Sequence, residues 1–434
     1  MYLAILGYLL IAIMMWGLLK GKFTPVVAFA VLPTLFALFA GFTPAEISGF
    51  VADGVPGTLN ATALACFATV YFAIMSEEGL FDPIVTFLSK KAGGNVVAIM
   101  IITSIISSIS HMDTGVTSTV LVTIPAMLPL FKRFKIRVEY LFLLIAQSVA
   151  VVNLLPHGGG MIRMSSVTGL DVSLMFKTLL PIILCMVVYN LASAVFYGVR
   201  EQRRIAGGNV VEYGNVTDKK LEVKEVKLNW RYWCNLVMTI SLLAIMFQGS
   251  LKGYYVFMIG LALALLINYP NTKTQMDVLK KHASKAFPIA LVMLASGVLV
   301  GVMSGTGMLT EMANLVVSLI PEALKNFYGV IVGYLSIPLS ICLGADGFYY
   351  GLTPLFTQVG TIYGFSTLSI VTIMMLARDA FGLITPVSAV TYLAPGMLGK
   401  ELGVFIKFSF KYLLVLFTVE VIICVVLGTM PLVV

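Results

Sequence analysis

Apolar runs of about 20 residues, each long enough to cross roughly 30 Å of hydrocarbon as a helix, recur from one end of this 434-residue chain to the other. The pattern predicts spans over 2–19, 24–42 and 60–76, a re-entrant hairpin over 95–131, a broken span over 138–168 and a span over 178–199. After a polar, charge-rich stretch from Arg200 to Arg231 the same order restarts. It gives spans over 232–249, 254–269 and 286–304, a hairpin over 326–363, a broken span over 366–398 and a last span over 404–432. The expected organisation is therefore a first repeat over 1–199, a linker over 200–231 and a second repeat over 232–434. Two amphipathic stretches, Glu77 to Lys91 and Thr306 to Lys325, precede the hairpins and read as helices lying along the membrane surface.

The hairpins are read from aspartates flanked by glycine inside apolar runs, at Ser110-His111-Met112-Asp113-Thr114-Gly115 and at Gly344-Ala345-Asp346-Gly347. Each is followed by a break built around proline, at Asn153-Leu154-Leu155-Pro156-His157-Gly158-Gly159-Gly160 and at Gly382-Leu383-Ile384-Thr385-Pro386. Backbone broken at mid-membrane depth is tolerated only where protein or a water-lined cavity covers it. Glycine and proline permit the break, and the freed amides and carbonyls become ligands for anions and cations.

Composition fixes the class. With 59% apolar residues, 11% charged residues and a mean hydropathy of +1.00, the chain is no ordinary soluble domain, in which charged residues approach a quarter. It reads as an all-α polytopic membrane protein. Residues Tyr2 to Leu19 lack a charged amino-terminal region and a second span follows soon after Lys22, so they read as the first transmembrane helix and not as a cleaved signal. A net charge of +8 would point to nucleic acid in a soluble protein. Here the basic residues sit in short loops and set orientation instead, so the expected environment is the lipid bilayer, with no nucleic-acid partner. Lys20, Lys22, Lys90, Lys91, Lys132, Arg133, Lys135, Arg137, the 200–231 stretch, Lys273 to Lys285 and Lys400 fall on one side, and Lys177, Lys252 and Lys325 on the other. That asymmetry predicts both termini outside a prokaryotic-type plasma (inner) membrane, the first hairpin entering from the cytoplasm and the second from outside. Opposed halves of this kind are the inverted-repeat architecture of secondary transporters. Cys66, Cys185, Cys234, Cys342 and Cys424 are scattered without CxxC spacing, which indicates neither a disulfide framework nor a zinc site.

Asp113 and Asp346 are the leading candidates for chemistry, because an ionisable group at bilayer depth is costly and is kept where it binds or moves something. Either can carry a proton or ligate a cation; the alternative is a hairpin tip that reaches water. Two of the three histidines, His111 and His157, fall at the first tip and the first break, where they either cap backbone or serve substrate binding, proton coupling or metal ligation. His282 lies in a basic stretch that reads as a loop. Arg163 follows Gly158-Gly159-Gly160 and can meet a substrate carboxylate bidentately or snorkel to the surface. Arg378 and Asp379 are adjacent in the second broken span; they neutralise each other locally, or Asp379 joins the site. Thr114, Thr117, Ser118, Asn153, Tyr349, Thr385, Ser388 and Thr391 add hydroxyl and amide groups, and Gly158, Gly159 and Gly344 add accessible backbone.

At these residues the chain resembles the metal-citrate:proton symporters of the ion transporter superfamily, over nearly its full length. The resemblance rests on Gly79-Leu80-Phe81-Asp82-Pro83, Pro125 to Arg133, the Pro156-to-Arg163 break, Gly344 to Gly351, and Ser388 to Leu393. It implies two inverted repeats, a scaffold that dimerises, and a substrate domain that moves as an elevator. It also implies symport of citrate, or a related di- or tricarboxylate, with protons or a divalent metal such as magnesium or calcium. No resident cofactor is expected, since any metal would arrive chelated by the substrate. The chain departs from the family at its first tip, where an Asp-Gly-Asp-Gly-like sequence is replaced by Ser110 to Gly115, and after the break proline, where His157 stands for the usual tryptophan. Fewer carboxylates and more imidazoles imply a softer or different metal, or a substrate without one. An ion antiporter or monocarboxylate transporter on the same fold would use the same breaks. An intramembrane aspartyl hydrolase would need two carboxylates sharing a proton on neighbouring helices; Asp113 and Asp346 sit instead at turns in opposed repeats, so no enzyme is expected.

Overall fold

The computed structural model describes residues 1–91, 95–208, 228–248, 250–387 and 389–432, and these contain helices and no strand. The first repeat comprises α1 (Tyr2–Leu19), α2 (Pro25–Phe39), α3 (Pro44–Glu77), α4 (Asp82–Lys91), α5 (Val96–Ser110), α6 (Val116–Arg133), α7 (Val138–Asn153), α8 (Gly159–Thr168) and α9 (Val172–Ala206). The second comprises α10 (Trp230–Gln248), α11 (Gly253–Asn268), α12 (Thr272–Gly305), α13 (Met308–Leu319), α14 (Glu322–Lys325), α15 (Tyr328–Cys342), α16 (Thr353–Ile362), α17 (Thr367–Phe381), α18 (Leu393–Leu398) and α19 (Leu402–Val426). Among the described residues eight helices are long and apolar enough to cross a membrane. The protein is an integral, multi-pass membrane protein built from two inverted repeats, each with a hairpin (α5/α6, α15/α16) and a broken helix (α7/α8, α17/α18).

The main departure from the sequence reading is the length of α3 and α12. The span expected over 60–76 belongs to a helix that begins at Pro44 and carries Gly49, Gly54, Pro56 and Gly57 within it. A capping box holds its start: Thr43 accepts from the Glu46 amide while Glu46 Oε2 accepts from the Thr43 amide at 2.7 Å. Likewise the basic run from Lys273 to Lys285 is no loop but the first turns of α12, capped by Asn271. His282 is therefore a buried helical residue, with Nε2 2.7 Å from Glu77 Oε2. Helix α9 also runs beyond its predicted end, tied down where Glu201 is buried between Arg137 and Arg204. The 200–231 stretch is helical at both described ends, and residues 209–227 lie outside the described residues. The predicted surface stretch 306–325 divides into α13 and α14.

The glycines have a packing purpose. Helices α3 and α12 cross so closely that a Cβ on Gly54 would overlap the Gly297 carbonyl and lie 2.6 Å from the Gly301 Cα. A Cβ on Gly301 would in turn overlap the Phe50 carbonyl. The spacing Gly297-Val-Leu-Val-Gly301 is the small-xxx-small pattern that lets transmembrane backbones touch, and here it joins one repeat to the other.

The two broken helices form the centre. From Val138 to Val152 every residue of α7 is buried, as is every residue of α17 from Ser369 to Phe381. A helix apolar on all sides belongs in a core, and each packs against the other. Replacing Gly301 with alanine should destabilise the protein by about 1 to 3 kcal/mol through overpacking. Gly49→Ala meets nothing within 4 Å and should be neutral or stabilise by roughly 0.5 to 1 kcal/mol through helix propensity. Thermal unfolding in detergent checks the pair: equal shifts for both variants would contradict the close crossing.

Candidate functional site at the two helix breaks

At the first break α7 stops at Asn153 and α8 starts at Gly159, with Gly158 in the N-cap position and no side chain capping the free amides. The backbone folds back so tightly that a Cβ on Gly158 would overlap the Asn153 carbonyl oxygen and lie 2.6 Å from its carbon. An uncapped helix N-terminus at this depth is a ready anion site, because its amides and dipole both favour negative charge. At the second break α17 gives way to a 3-10 turn, Gly382–Ile384, and the Thr385 hydroxyl donates to the Ile341 carbonyl at 2.7 Å, fixing the break to α15.

Between the breaks lies a cavity of about 260 Å³. The first repeat contributes Thr114, Val116, Val149, Asn153, Gly159, Gly160 and Arg163, and the second Ala345, Tyr349, Arg378, Asp379, Gly382, Leu383 and Thr391. Gly160 is required by this geometry: a Cβ there would meet the Tyr349 hydroxyl at 2.7 Å and Asp379 Oδ2 at 2.9 Å. The Tyr349 hydroxyl donates to Asp379 Oδ1 at 3.2 Å, while Asp379 Oδ2 and Arg378 Nε are buried without a partner. Buried polar atoms are normally bonded, so open positions on an acid and a guanidinium in one cavity mark a place for a ligand. Arg163 links the repeats: its Nε donates to Asp346 Oδ1 at 2.9 Å and its Nη1 to the Gly159 carbonyl at 3.1 Å.

The cavity thus gathers Thr114, Asn153, Gly159, Arg163, Tyr349, Asp379 and Thr391 from the predicted set. Asp346 and Gly344 line an adjoining cavity of about 180 Å³ against the end of α1, with Asp346 reaching Arg163. The other predicted residues are used differently. Asp113 is spent on its own tip, accepting from the Gly115 amide at 2.9 Å and from the Ser118 hydroxyl at 2.5 Å, which ties up Ser118 as well. Thr117 is exposed on α6, and Gly158 serves the fold of the break. Ser388 lies outside the described residues.

His111 and His157 do not line the cavity; they staple the first tip to the first break. His111 Nδ1 is 2.7 Å from Thr119 Oγ1 and its Nε2 3.1 Å from Asn153 Oδ1. His157 Nε2 donates to the Met112 carbonyl at 3.0 Å, and the ring stacks on Phe72. Thr114 occupies a left-handed conformation at φ 58°, a strained position for a β-branched residue. Seven of the fourteen lining residues were not in the predicted set, and two of them shape the site's chemistry. Gly160 is the third member of a glycine run whose first two were chosen, and Arg378 was read as a local neutraliser of Asp379.

Comparison with known proteins agrees with this architecture. The chain is similar to the YdaH transporter of Alcanivorax borkumensis, with a TM-score of 0.60 at 13% identity over 90% of this chain and 88% of that one, a likeness of fold. It is 31% identical to the uncharacterized transporter YraO of Bacillus subtilis, over 98% of this chain and 99% of that protein. It is 30% identical to a citrate transporter of Bacillus subtilis, over 94% and 95% of the two chains. With the Mg(2+)/citrate complex secondary transporter of the same organism it shares 27% identity, over 94% and 95%. Residues 8–377 match the family model for citrate transporters, so a cavity enclosed by two broken helices, two hairpins and two arginines sits in a chain that belongs to the citrate transporter family.

Proposed function

We propose that the protein is a secondary transporter that carries citrate, or a related di- or tricarboxylate, together with protons or another cation. The observation that carries this reading is the convergence of Arg163, Arg378 and the uncapped N-terminus of α8 on one small cavity. Guanidinium groups and helix N-termini are the groups that hold carboxylates best. Asp379 supplies the opposite requirement, an acceptor for a hydroxyl or a cation. A hydroxylated polycarboxylate satisfies both kinds of partner at once. The volume of about 260 Å³ lies just below the range usual for ligand sites, roughly 300 to 1,000 Å³, and favours a compact substrate.

Charge supports a metal complex as the cargo. The lining carries two arginines and one aspartate, with Asp346 already paired to Arg163, so little positive charge is left over for a trianion, whereas citrate holding a divalent cation is a monoanion. Magnesium, calcium or another divalent ion would then enter with the substrate, held by the citrate itself. Asp346 holds Arg163 by the same kind of contact that a substrate carboxylate would make. The hairpins and broken helices would move together as an elevator against α3 and α12 in a homodimer, with both termini outside the inner membrane. Asp379, the only acid on the cavity wall among the described residues, would accept the coupling cation or the substrate's hydroxyl.

Three measurements test the reading. Uptake of labelled citrate into proteoliposomes under an inward proton gradient should rise with added magnesium, calcium or another divalent cation and fall with EDTA; no citrate uptake under any condition would refute it. Arg163→Gln should weaken citrate binding by about 2 to 5 kcal/mol, as loss of one partner in a buried charge pair does, and calorimetry showing unchanged affinity would remove Arg163 from the site. Gly160→Ala should abolish uptake while leaving the protein folded, because the added methyl displaces Tyr349 and Asp379; retained activity would mean that these two residues are dispensable.

A further inference from the structure

Glu420 lies deep within α19, is 2% exposed, and has an Oε2 without a hydrogen-bond partner. The other deeply buried glutamates are neutralised by cations: Glu201 by Arg137 and Arg204, and Glu139 by Lys400 at 2.7 Å. Among the described residues no Lys, Arg or His forms an ion pair with Glu420. The titratable groups on the elements packed around it are Asp379 on α17, which lies against α19, Tyr189 on α9, and Cys424 one turn along α19. Helix α15 contributes Tyr334, which is bonded to Thr418, and Tyr140 of α7 lies three turns away against Phe408.

A count of charges around the cavity isolates this residue. Arg163 is paired with Asp346, and Arg378 neighbours Asp379 on the cavity wall. Glu420 is a third acid with no third cation. An ionised carboxylate buried without a counter-ion carries a large desolvation penalty, and beside a second carboxylate like-charge repulsion adds to it.

We propose that Glu420 is a proton-binding site of the transport cycle, working behind Asp379, an inference that rests on the carboxylate-transport reading above. With its proton in place Glu420 is neutral, and Asp379 stays ionised opposite Arg378 and receptive to the substrate's hydroxyl or cation. When the proton leaves Glu420 for water on the release side, α19 and the α17 it packs against each carry an ionised carboxylate, and the added negative charge drives the anionic cargo out. One proton is bound and one released per cycle, with no redox change.

Glu420→Gln keeps the shape of the protonated side chain and cannot titrate. In proteoliposomes it should retain exchange of labelled for unlabelled citrate but lose accumulation driven by a proton gradient, while Glu420→Asp retains both. Exchange together with undiminished gradient-driven accumulation in Glu420→Gln would overturn the proposal alone. Absence of exchange in the wild type would remove the transport reading itself. Wild-type protein gives a measurement independent of folding in the variants: a hydrophobic carbodiimide, which attacks protonated buried carboxyls, should label Glu420 and abolish gradient-driven accumulation, as peptide mapping would reveal. Labelling that stops accumulation but spares Glu420, or accumulation driven by sodium without a proton gradient, would sink the proposal.

Discussion

A peptide chain cannot leave its amides and carbonyls bare in hydrocarbon, and this constraint governs the rest of the structure. Two helices stop at mid-depth so that free backbone becomes available there. They can do so only because α7 and α17 are buried on every side and because the hairpins close over the gaps. The close fit at Gly158 and Gly160, the staples from His111 and His157 to the first tip, and the bond from Thr385 to α15 all serve this shielding. Beyond that core, the glycine crossing of α3 and α12 supplies a firm contact between the repeats.

Inverted repeats need not make a symmetric site. The first break contributes a helix N-terminus and an arginine reaching across to the other repeat; the second contributes an adjacent arginine and aspartate. The two aspartates at the hairpin tips likewise differ in use. Asp346 faces Arg163, whereas Asp113 folds back on its own amide and serine neighbours. The two halves share an order of elements, and a few differing polar residues give one cavity with distinct walls.

Much of this was legible from hydropathy, because a polar residue beside glycine or proline in an apolar run stands out. The spans, both hairpins, both breaks, and Asn153, Arg163, Tyr349 and Asp379 were found that way. Features that depend on a distant partner were not. Gly54, Pro56 and Gly57 look like a break in α3 until α12 is seen lying against them. The imidazoles of His111 and His157 look like site ligands until Thr119 and Asn153 take up both nitrogens of His111 and the Met112 carbonyl takes up Nε2 of His157. Glu420 lies in an apolar run without glycine or proline nearby, so nothing local marks it, and its significance comes from its neighbour on α17.

The Arg163–Asp346 pair has a consequence for the direction of work. A carrier whose binding cation stays bare when unloaded is held back by its own charge, because moving an unneutralised guanidinium through a low-dielectric barrier is expensive. Such a carrier turns over only by swapping one passenger for another. Here Asp346 of one repeat neutralises Arg163 of the other, so the pair can cross as one neutral unit. On the transport reading, that self-neutralisation permits net import, filling a compartment against a gradient where a carrier without it would only trade solute across the membrane.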